Sequence, residues 1–120
     1  MKLAITAERG SLDSPVDPRF GRARYFLLVD TETDAYTVHD NLQNLNAPQG
    51  AGIQAAQTIA QLGAEALLTG HVGPKAYTTL QAAGIAVYSG AEGTVREALA
   101  GYRAGRFQAA AKADVEGHWA

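Results

Sequence analysis

Two arginines enclose a phenylalanine and a glycine in the segment Arg19-Phe20-Gly21-Arg22. Guanidinium groups bind anions through charge-assisted hydrogen bonds, so this pair could hold an anion with Phe20 as an aromatic anchor. The alternative is that Phe20 enters the core while the arginines stay solvated, because exposed arginines are common in proteins. The motif alone leaves both interpretations open.

Gly50 and Gly52 enclose Ala51 just before a segment with helical periodicity. Glycines at the start of a helix let backbone N–H groups approach an anion closely. The segment is not a Walker A loop, because no Lys-Ser or Lys-Thr pair follows it. It also does not follow the first strand, as a dinucleotide-binding motif must. An anion-binding helix start and a plain flexible one both fit this pattern.

His71 stands between two glycines in Gly70-His71-Val72-Gly73-Pro74, at the predicted end of a strand. It could ligate a metal, donate a hydrogen bond to an anion, or only cap its own loop. A lone histidine is not a conventional metal site, which needs three or four ligands. We therefore expect His71 to act as a donor or as an accessory metal ligand, if it contacts a ligand at all.

The sequence does not match the patterns of common catalytic sites. The serines lack a G-x-S-x-G context, and the first strand carries none of the carboxylates that a two-metal nuclease needs. Asp13 and Asp17 could help to bind a hard cation, but their loop is equally rich in arginine. We predict that the protein is not an enzyme, with a small-phosphate or nucleotide-binding enzyme as the weakest alternative.

Hydrophobic periodicity and turn residues define the elements that would position these residues. Strands are predicted over 2–7, 24–30, 35–40, 64–69 and 85–89, and helices over 53–62, 74–83 and about 95–104. A short polar turn joins the second and third strands as a hairpin, and β–α units follow with parallel strands. The predicted fold class is α/β, with a mixed five-stranded sheet in order 3-2-1-4-5, strand 2 antiparallel and helices on both faces.

Ligands of open α/β sheets bind at the carboxyl ends of the parallel strands, where the strand order reverses. In the predicted sheet this crevice lies between strands 1 and 4. The loops over 8–22, 41–52 and 70–73 should converge there. Long loops in compact domains are usually functional, although these could also be poorly structured.

Composition excludes several classes of protein. The 120 residues suit one domain, which we place at 1–104, with 105–120 as a flexible tail. Ten basic against twelve acidic residues argue against a general nucleic-acid binder. The absence of cysteine removes disulfides and thiolate ligands. No signal segment or apolar run of about 20 residues is present, which predicts a cytoplasmic protein without membrane contact.

Four segments in this order and spacing resemble the dinitrogenase iron–molybdenum cofactor biosynthesis family, from Met1 to about Tyr102. They are Phe20-Gly21-Arg22-Ala23, Gly50-Ala51-Gly52, Gly70-His71-Val72-Gly73-Pro74-Lys75-Ala76 and Gly84-Ile85-Ala86-Val87-Tyr88. The resemblance implies a ribonuclease H-like three-layer α/β/α fold and the carriage of metal–sulfur clusters during cofactor assembly. Small stand-alone members hold a molybdenum–copper sulfide cluster noncovalently, which is the cofactor we expect. An iron–molybdenum cofactor or its precursor is the alternative.

Noncovalent binding suits a chain without cysteine, because inorganic sulfide already satisfies the metals of such a cluster. The cluster is then a bulky anion that needs cationic side chains, helix N-termini and apolar walls. The expected cluster-binding residues are Arg19, Phe20, Gly21, Arg22, Gly50, Gly52, His71, Val72 and Gly73, with His71 as the metal contact. A partner ATPase or cofactor-accepting protein would complete such a system. The alternative function is an interaction module that docks such a partner without binding a cluster.

Overall fold

The computed structural model describes residues 1–45 and 50–111. The strands are β1 (Lys2–Ala7), β2 (Tyr25–Asp30), β3 (Tyr36–Asp40), β4 (Ala66–Leu68) and β5 (Ala86–Tyr88). The helices are α1 (Leu42–Leu45), α2 (Ala51–Gln61), α3 (Pro74–Ala82) and α4 (Val95–Arg103). Within the described ranges, no helix is long and apolar enough to cross a membrane.

The sheet has the order β3-β2-β1-β4-β5. β2 runs antiparallel to both of its neighbours, whereas β1, β4 and β5 are parallel. Both the strand order and the orientation of β2 are therefore confirmed. The likeness to ribonuclease H stays a prediction.

Alternation along the central strands divides the core into two layers. Ala4, Phe26 and Leu28 pack with α2 and α3 on one face of the sheet. Leu3, Ile5 and Leu27 face the other way and pack with α4. Since successive side chains of a strand point to opposite faces, nearly continuous apolar sequences such as that of β2 must be covered on both sides. The result is the expected arrangement of helices on both faces.

α1 occupies part of a segment that the sequence predicts to be a loop. Asn41 is fully buried just before it, and its side-chain NH₂ donates to the carbonyl oxygens of Gly21, at 3.1 Å, and Ala23, at 2.9 Å. Asn44 donates through its own side chain to Oδ1 of Asn41, at 2.7 Å. Asparagine is a poor helix former, so local propensity hides this turn. Positions 46–49 of the predicted loop lie outside the described residues.

The chain after α4 returns to the sheet over its described part. The N–H of Ala110 donates to the Val87 carbonyl at 2.7 Å, and the Tyr77 hydroxyl donates to the Ala110 carbonyl at 2.9 Å. Ala109 also bridges Tyr88 on the outer edge of β5. The packed structure therefore extends past the predicted domain boundary at 104, and positions 112–120 of the predicted tail lie outside the described residues.

Thr94 and Glu97 cap the start of α4 reciprocally, as their spacing predicts. Thr94 Oγ accepts the Glu97 N–H at 3.1 Å, and Glu97 Oε1 accepts the Thr94 N–H at 2.9 Å. Replacing Thr94 with alanine should lower the free energy of unfolding by about 1 kcal/mol in urea titration, because the Glu97 N–H loses the hydroxyl oxygen that accepts it. Thr94→Ser keeps the hydroxyl and should unfold like the wild type, and equal loss in both variants would contradict this assignment.

The capping box has a pH signature with a definite sign. The hydrogen bonds that Thr94 donates hold the pKa of the Glu97 carboxyl below its usual range. A carboxyl with a lowered pKa in the folded state stabilises above its unfolded pKa and loses that contribution as the pH falls through the folded one. The stability difference between wild type and Thr94→Ala should therefore shrink in acid.

Candidate site at the carboxyl ends of β1 and β4

The loops that follow β1 and β4 pair with each other beyond the end of the sheet. The His71 N–H donates to the Pro18 carbonyl at 2.8 Å, and the Phe20 N–H donates to the His71 carbonyl at 3.2 Å. Arg19 and His71 thereby form an isolated parallel bridge. Two of the three loops predicted to meet at this edge are therefore in direct contact.

Gly70 permits this pairing because its backbone lies against Pro18. A Cβ atom built at Gly70 would stand 2.5 Å from the Pro18 carbonyl oxygen and 2.7 Å from its Cα. No side chain fits at such distances, since real Cβ contacts are longer and both opposing atoms belong to backbone. A glycine is thus required before His71 because the backbone of Pro18 lies too close for a side chain, and not because the loop must be flexible.

A buried threonine pair supports the loop from below. The hydroxyls of Thr6, near the end of β1, and Thr69, just after β4, are 2.7 Å apart and fully buried. Thr6 Oγ also lies 2.8 Å from the Asp17 carbonyl oxygen, and the Asp17 N–H donates to the Thr6 carbonyl at 3.0 Å. These bonds fix the loop after β1, so the interpretation of that loop as poorly structured does not hold for it.

Phe20 and Val72 are core residues. Their exposed fractions are 1% and 2%, and the Phe20 ring lies 5.8 Å from that of Phe26, between ring centroids. Phe20 therefore enters the core, as the alternative interpretation of the arginine motif expects. Because both side chains are enclosed, neither can form an exposed apolar wall against a ligand. They anchor the loops that carry Arg19 and His71.

The helices α2 and α3 begin at this edge without side-chain caps. Gly50, with φ of 79°, precedes α2, and Gly73 precedes α3 with Pro74 at the first helical position. Neither helix has a side-chain cap or an acidic residue in its first turn. Gly52 is buried inside the first turn of α2. No acidic side chain of the first turn therefore offsets the partial positive charge at the N-terminus of either helix.

The first turns of α2 and α3 border a shared groove of about 320 Å³. We call it the helix-terminus groove, and its lining residues are Ile53, Pro74, Lys75, Thr78 and Thr79. Lys75 is exposed and adds a full positive charge to the groove. Lys75 is not among the predicted site residues, although its position directly after Pro74, in the first turn of a predicted helix, is a usable signal.

A second concavity, of about 650 Å³, lies beside the bridge. We call it the arginine cleft, and it is lined by Glu8, Arg9, Gly10, Asp17, Arg19, Arg22, Arg24 and Tyr25. Arg22 also donates to the Asn44 carbonyl, at 3.5 Å. The predicted site residues thus fall into two neighbouring groups, since Arg19 and Arg22 line the cleft while Gly50, Gly52 and Gly73 lie at the helix starts. Sequence reasoning missed Arg9 and Arg24, which the folded path of the loop brings to the same cleft.

Asp17 fixes the backbone of the arginine cleft. Its Oδ1 accepts the Arg19 N–H and its Oδ2 accepts the Arg24 N–H, both at 3.2 Å. Burial raises the pKa of this carboxyl, against the lowering effect of the two N–H donors. Ionisation of Asp17 therefore lowers the free energy of unfolding, and this loss grows as the pH rises from the pKa of the unfolded state to that of the folded state. Asp13, which the sequence offers with Asp17 for a hard cation, pairs with Arg96 at 3.0 Å.

No group of three or more histidine, aspartate or glutamate side chains gathers around a common point in residues 1–45 and 50–111. His39 lies on β3, where its Nε2 is 2.8 Å from the Thr37 hydroxyl, and His118 lies outside the described residues. The backbone of His71 pairs with the loop that carries Pro18, Arg19 and Phe20.

The family described as dinitrogenase iron-molybdenum cofactor matches residues 1–105 of the chain. The protein belongs to this family. The resemblance that its four motifs suggested is thereby confirmed, and the match includes both loops of the Arg19–His71 bridge and the starts of α2 and α3.

Solved structures of similar proteins have the same fold. The apo form of the orange protein from Desulfovibrio gigas is 49% identical, with a TM-score of 0.92 over 95% of this chain and 96% of that one. A putative NifB protein from Thermotoga is 36% identical, with a TM-score of 0.78 over 90% and 91% of the two chains. In sequence alone, an uncharacterised protein of Methanocaldococcus jannaschii is 28% identical over 110 residues, which are 90% of each chain. Membership of the family supports a role related to a metal cofactor.

Proposed function

We propose that this protein binds an anionic metal–sulfide cluster noncovalently and carries it or helps to assemble it. The observation that carries the proposal is a groove lined by Ile53 of the first turn of α2 and by Pro74 and Lys75 of the first turn of α3, two helices that begin without side-chain caps. Family membership supplies the class of cargo, since the family is named for the dinitrogenase iron-molybdenum cofactor.

The chemistry of the groove suits a bulky anion whose metals already have sulfide ligands. Each helix start offers N–H groups and the positive end of its dipole, an effect of about 0.3–1 kcal/mol per charged group near an exposed terminus. Lys75 lines the groove and adds an ammonium group. The imidazole that we assign to a hydrogen bond or a metal contact is that of His71, which is part-buried in the loop before α3. Arg19 and Arg22, on the cleft side of the bridge, add positive charge that attracts the cluster over a longer range.

The cargo that we propose is the molybdenum–copper sulfide cluster implied by the resemblance. An iron–molybdenum cofactor or precursor is the alternative, and the two differ in metal content. In this proposal the protein is a cytoplasmic carrier and not an enzyme, and its partner is a cofactor-accepting protein or an assembly ATPase.

Metal analysis tests this function directly. Protein purified without chelators should be coloured, with visible charge-transfer bands and molybdenum and copper in a constant ratio to the chain. Iron together with molybdenum would point to the alternative cargo. Protein that contains no metal and does not take up thiomolybdate with copper would contradict cluster carriage.

A pair of matched variants locates the cluster. His71→Ala combined with Lys75→Gln should reduce cluster affinity at least tenfold, because each charge-assisted contact contributes about 1.5–3 kcal/mol. His39→Ala combined with Arg106→Gln removes a histidine and a positive charge away from the groove and should load like the wild type. Equal loading of both double variants would place the cluster elsewhere.

An interaction module without a cluster is the second candidate function. The arginine cleft favours it, because such a cleft can receive an acidic partner whether or not the helix-terminus groove holds a cluster. Protein that cannot be loaded with thiomolybdate and copper but still binds an acidic partner would support this alternative over carriage.

A further inference from the structure

The two edge strands of the sheet differ in whether another segment pairs with their outer edge. The outer edge of β5 is bridged by Ala109, and the neighbouring Ala110 donates to the Val87 carbonyl. No segment of residues 1–45 or 50–111 pairs with the outer edge of β3. An open edge presents a row of N–H and C=O groups that can pair with another chain.

β3 also exposes apolar side chains along this edge. Tyr36 and Val38 are 38% and 44% exposed. They pair across the sheet with Val29 and Leu27, which belong to the α4 layer of the core, so they continue that apolar layer outward to the edge. An added strand could cover both side chains while its backbone satisfies the edge.

The arginine cleft lies at the end of this open edge. Tyr25, which lines the cleft, pairs with Asp40 at the end of β3. A Cβ atom at Gly10, also in the cleft, would lie 3.1 Å from Val38 Cγ1. The edge and the cleft are therefore one continuous surface, which we call the β3–cleft surface.

The arginine cleft carries four arginines against the two carboxylates of Glu8 and Asp17. The guanidinium groups of Arg9, Arg19 and Arg24 have no carboxylate within 4.0 Å among the described residues. By contrast, Lys2, Arg96 and Arg103 are paired with Asp30, Asp13 and Asp34. The cleft backbone is fixed in advance, since Ser14 Oγ holds the Arg9 N–H at 2.8 Å and Asp17 holds those of Arg19 and Arg24. The cleft therefore has an excess of positive charge on a chain of net charge -2, which favours an anionic partner.

We propose that the β3–cleft surface docks an extended, acidic segment of a partner protein. The segment adds to the sheet as a further strand beside β3, covers Tyr36 and Val38, and places carboxylates against Arg9 and Arg24. Guanidinium forks match carboxylates bidentately, which fixes the register of the added strand. Docking at this surface does not depend on cluster binding, because Arg9 and Arg24 do not line the helix-terminus groove.

The test uses a labelled peptide in which alternating valine and threonine residues precede four glutamates. Its binding to the full chain is measured by fluorescence anisotropy at low salt. In NMR spectra of the protein, bound peptide should shift the amide resonances of β3. Arg9→Gln combined with Arg24→Gln should weaken binding about tenfold or more. Arg96→Gln combined with Arg106→Gln is the matched loss of charge and should leave affinity unchanged. Val38→Ser should also weaken binding without altering circular dichroism.

Peptide controls separate strand addition from simple charge attraction. A peptide with glutamine in place of glutamate should bind about tenfold more weakly, and one with proline at alternate positions should lose the β3 shifts. The proposal is overturned if the glutamate peptide causes no shift in β3 at about 1 mM, or if the proline peptide binds equally. It is also overturned if a single-stranded oligonucleotide of equal charge binds as tightly, or if the free protein already dimerises through β3.

Discussion

Replacing Gly70 with alanine is expected to separate the two loops of the site and to destabilise the fold. The new methyl group would collide with the carbonyl oxygen and Cα of Pro18, at 2.5 and 2.7 Å. Overpacking of this kind costs about 1–3 kcal/mol, and backbone on the opposing side places Gly70→Ala at the upper end. The hydrogen bonds that join Pro18 and Phe20 to His71 should be lost with it.

Urea unfolding and amide hydrogen exchange measure the two parts of this expectation. The amides of Phe20 and His71 should exchange faster in Gly70→Ala, while the amides of β1 and β2 should be affected less. Gly84→Ala is the matched control, because its φ of 76° is unfavourable for alanine but nothing lies within 4 Å of the new Cβ. That control should lose about 1 kcal/mol and keep both amides protected. Protected amides in Gly70→Ala would refute the close-approach argument.

The sheet was predictable because each strand carries its own local signal. The polar turn over 31–34 permits only a hairpin between β2 and β3, and the glycines and prolines between later strands mark the starts and ends of helices. Once two β–α units are recognised, the right-handed crossover rule fixes most of the strand order. These signals lie within a few residues of one another, so a single sequence contains them.

The site was predictable only as a region, because its geometry depends on contacts between distant segments. Thr6 and Thr69 bond each other across 63 positions, and nothing local marks either residue as a partner. The buried side chain of Asn41 likewise joins the segment after β3 to the turn before β2. Local patterns could select the loops that meet but not the residues that face outward from them.

The sequence also does not show whether Phe20 faces the core or a ligand. Replacing Phe20 with alanine is expected to have the other large effect on stability. The side chain is 1% exposed and packs against Phe26 within the layer formed by α2 and α3. Removing a buried aromatic ring usually costs about 3–5 kcal/mol, through lost transfer energy and the cavity that remains. Phe20→Ala should therefore lose a large share of a domain stability that is typically about 5–15 kcal/mol.

Comparison with Phe20→Leu separates a core role from contact with the ligand. Leucine refills most of the cavity, so this variant should lose clearly less stability than Phe20→Ala in urea titration at low temperature. Since an enclosed ring only positions Arg19 and the bridge, Phe20→Leu should retain the metal content of the wild type per folded chain. A ring that touched the cluster would give the opposite pattern, in which Phe20→Leu is nearly as stable as the wild type but loads poorly. Because stability and loading are measured on the same two variants, the results assign Phe20 either to the core or to the cluster.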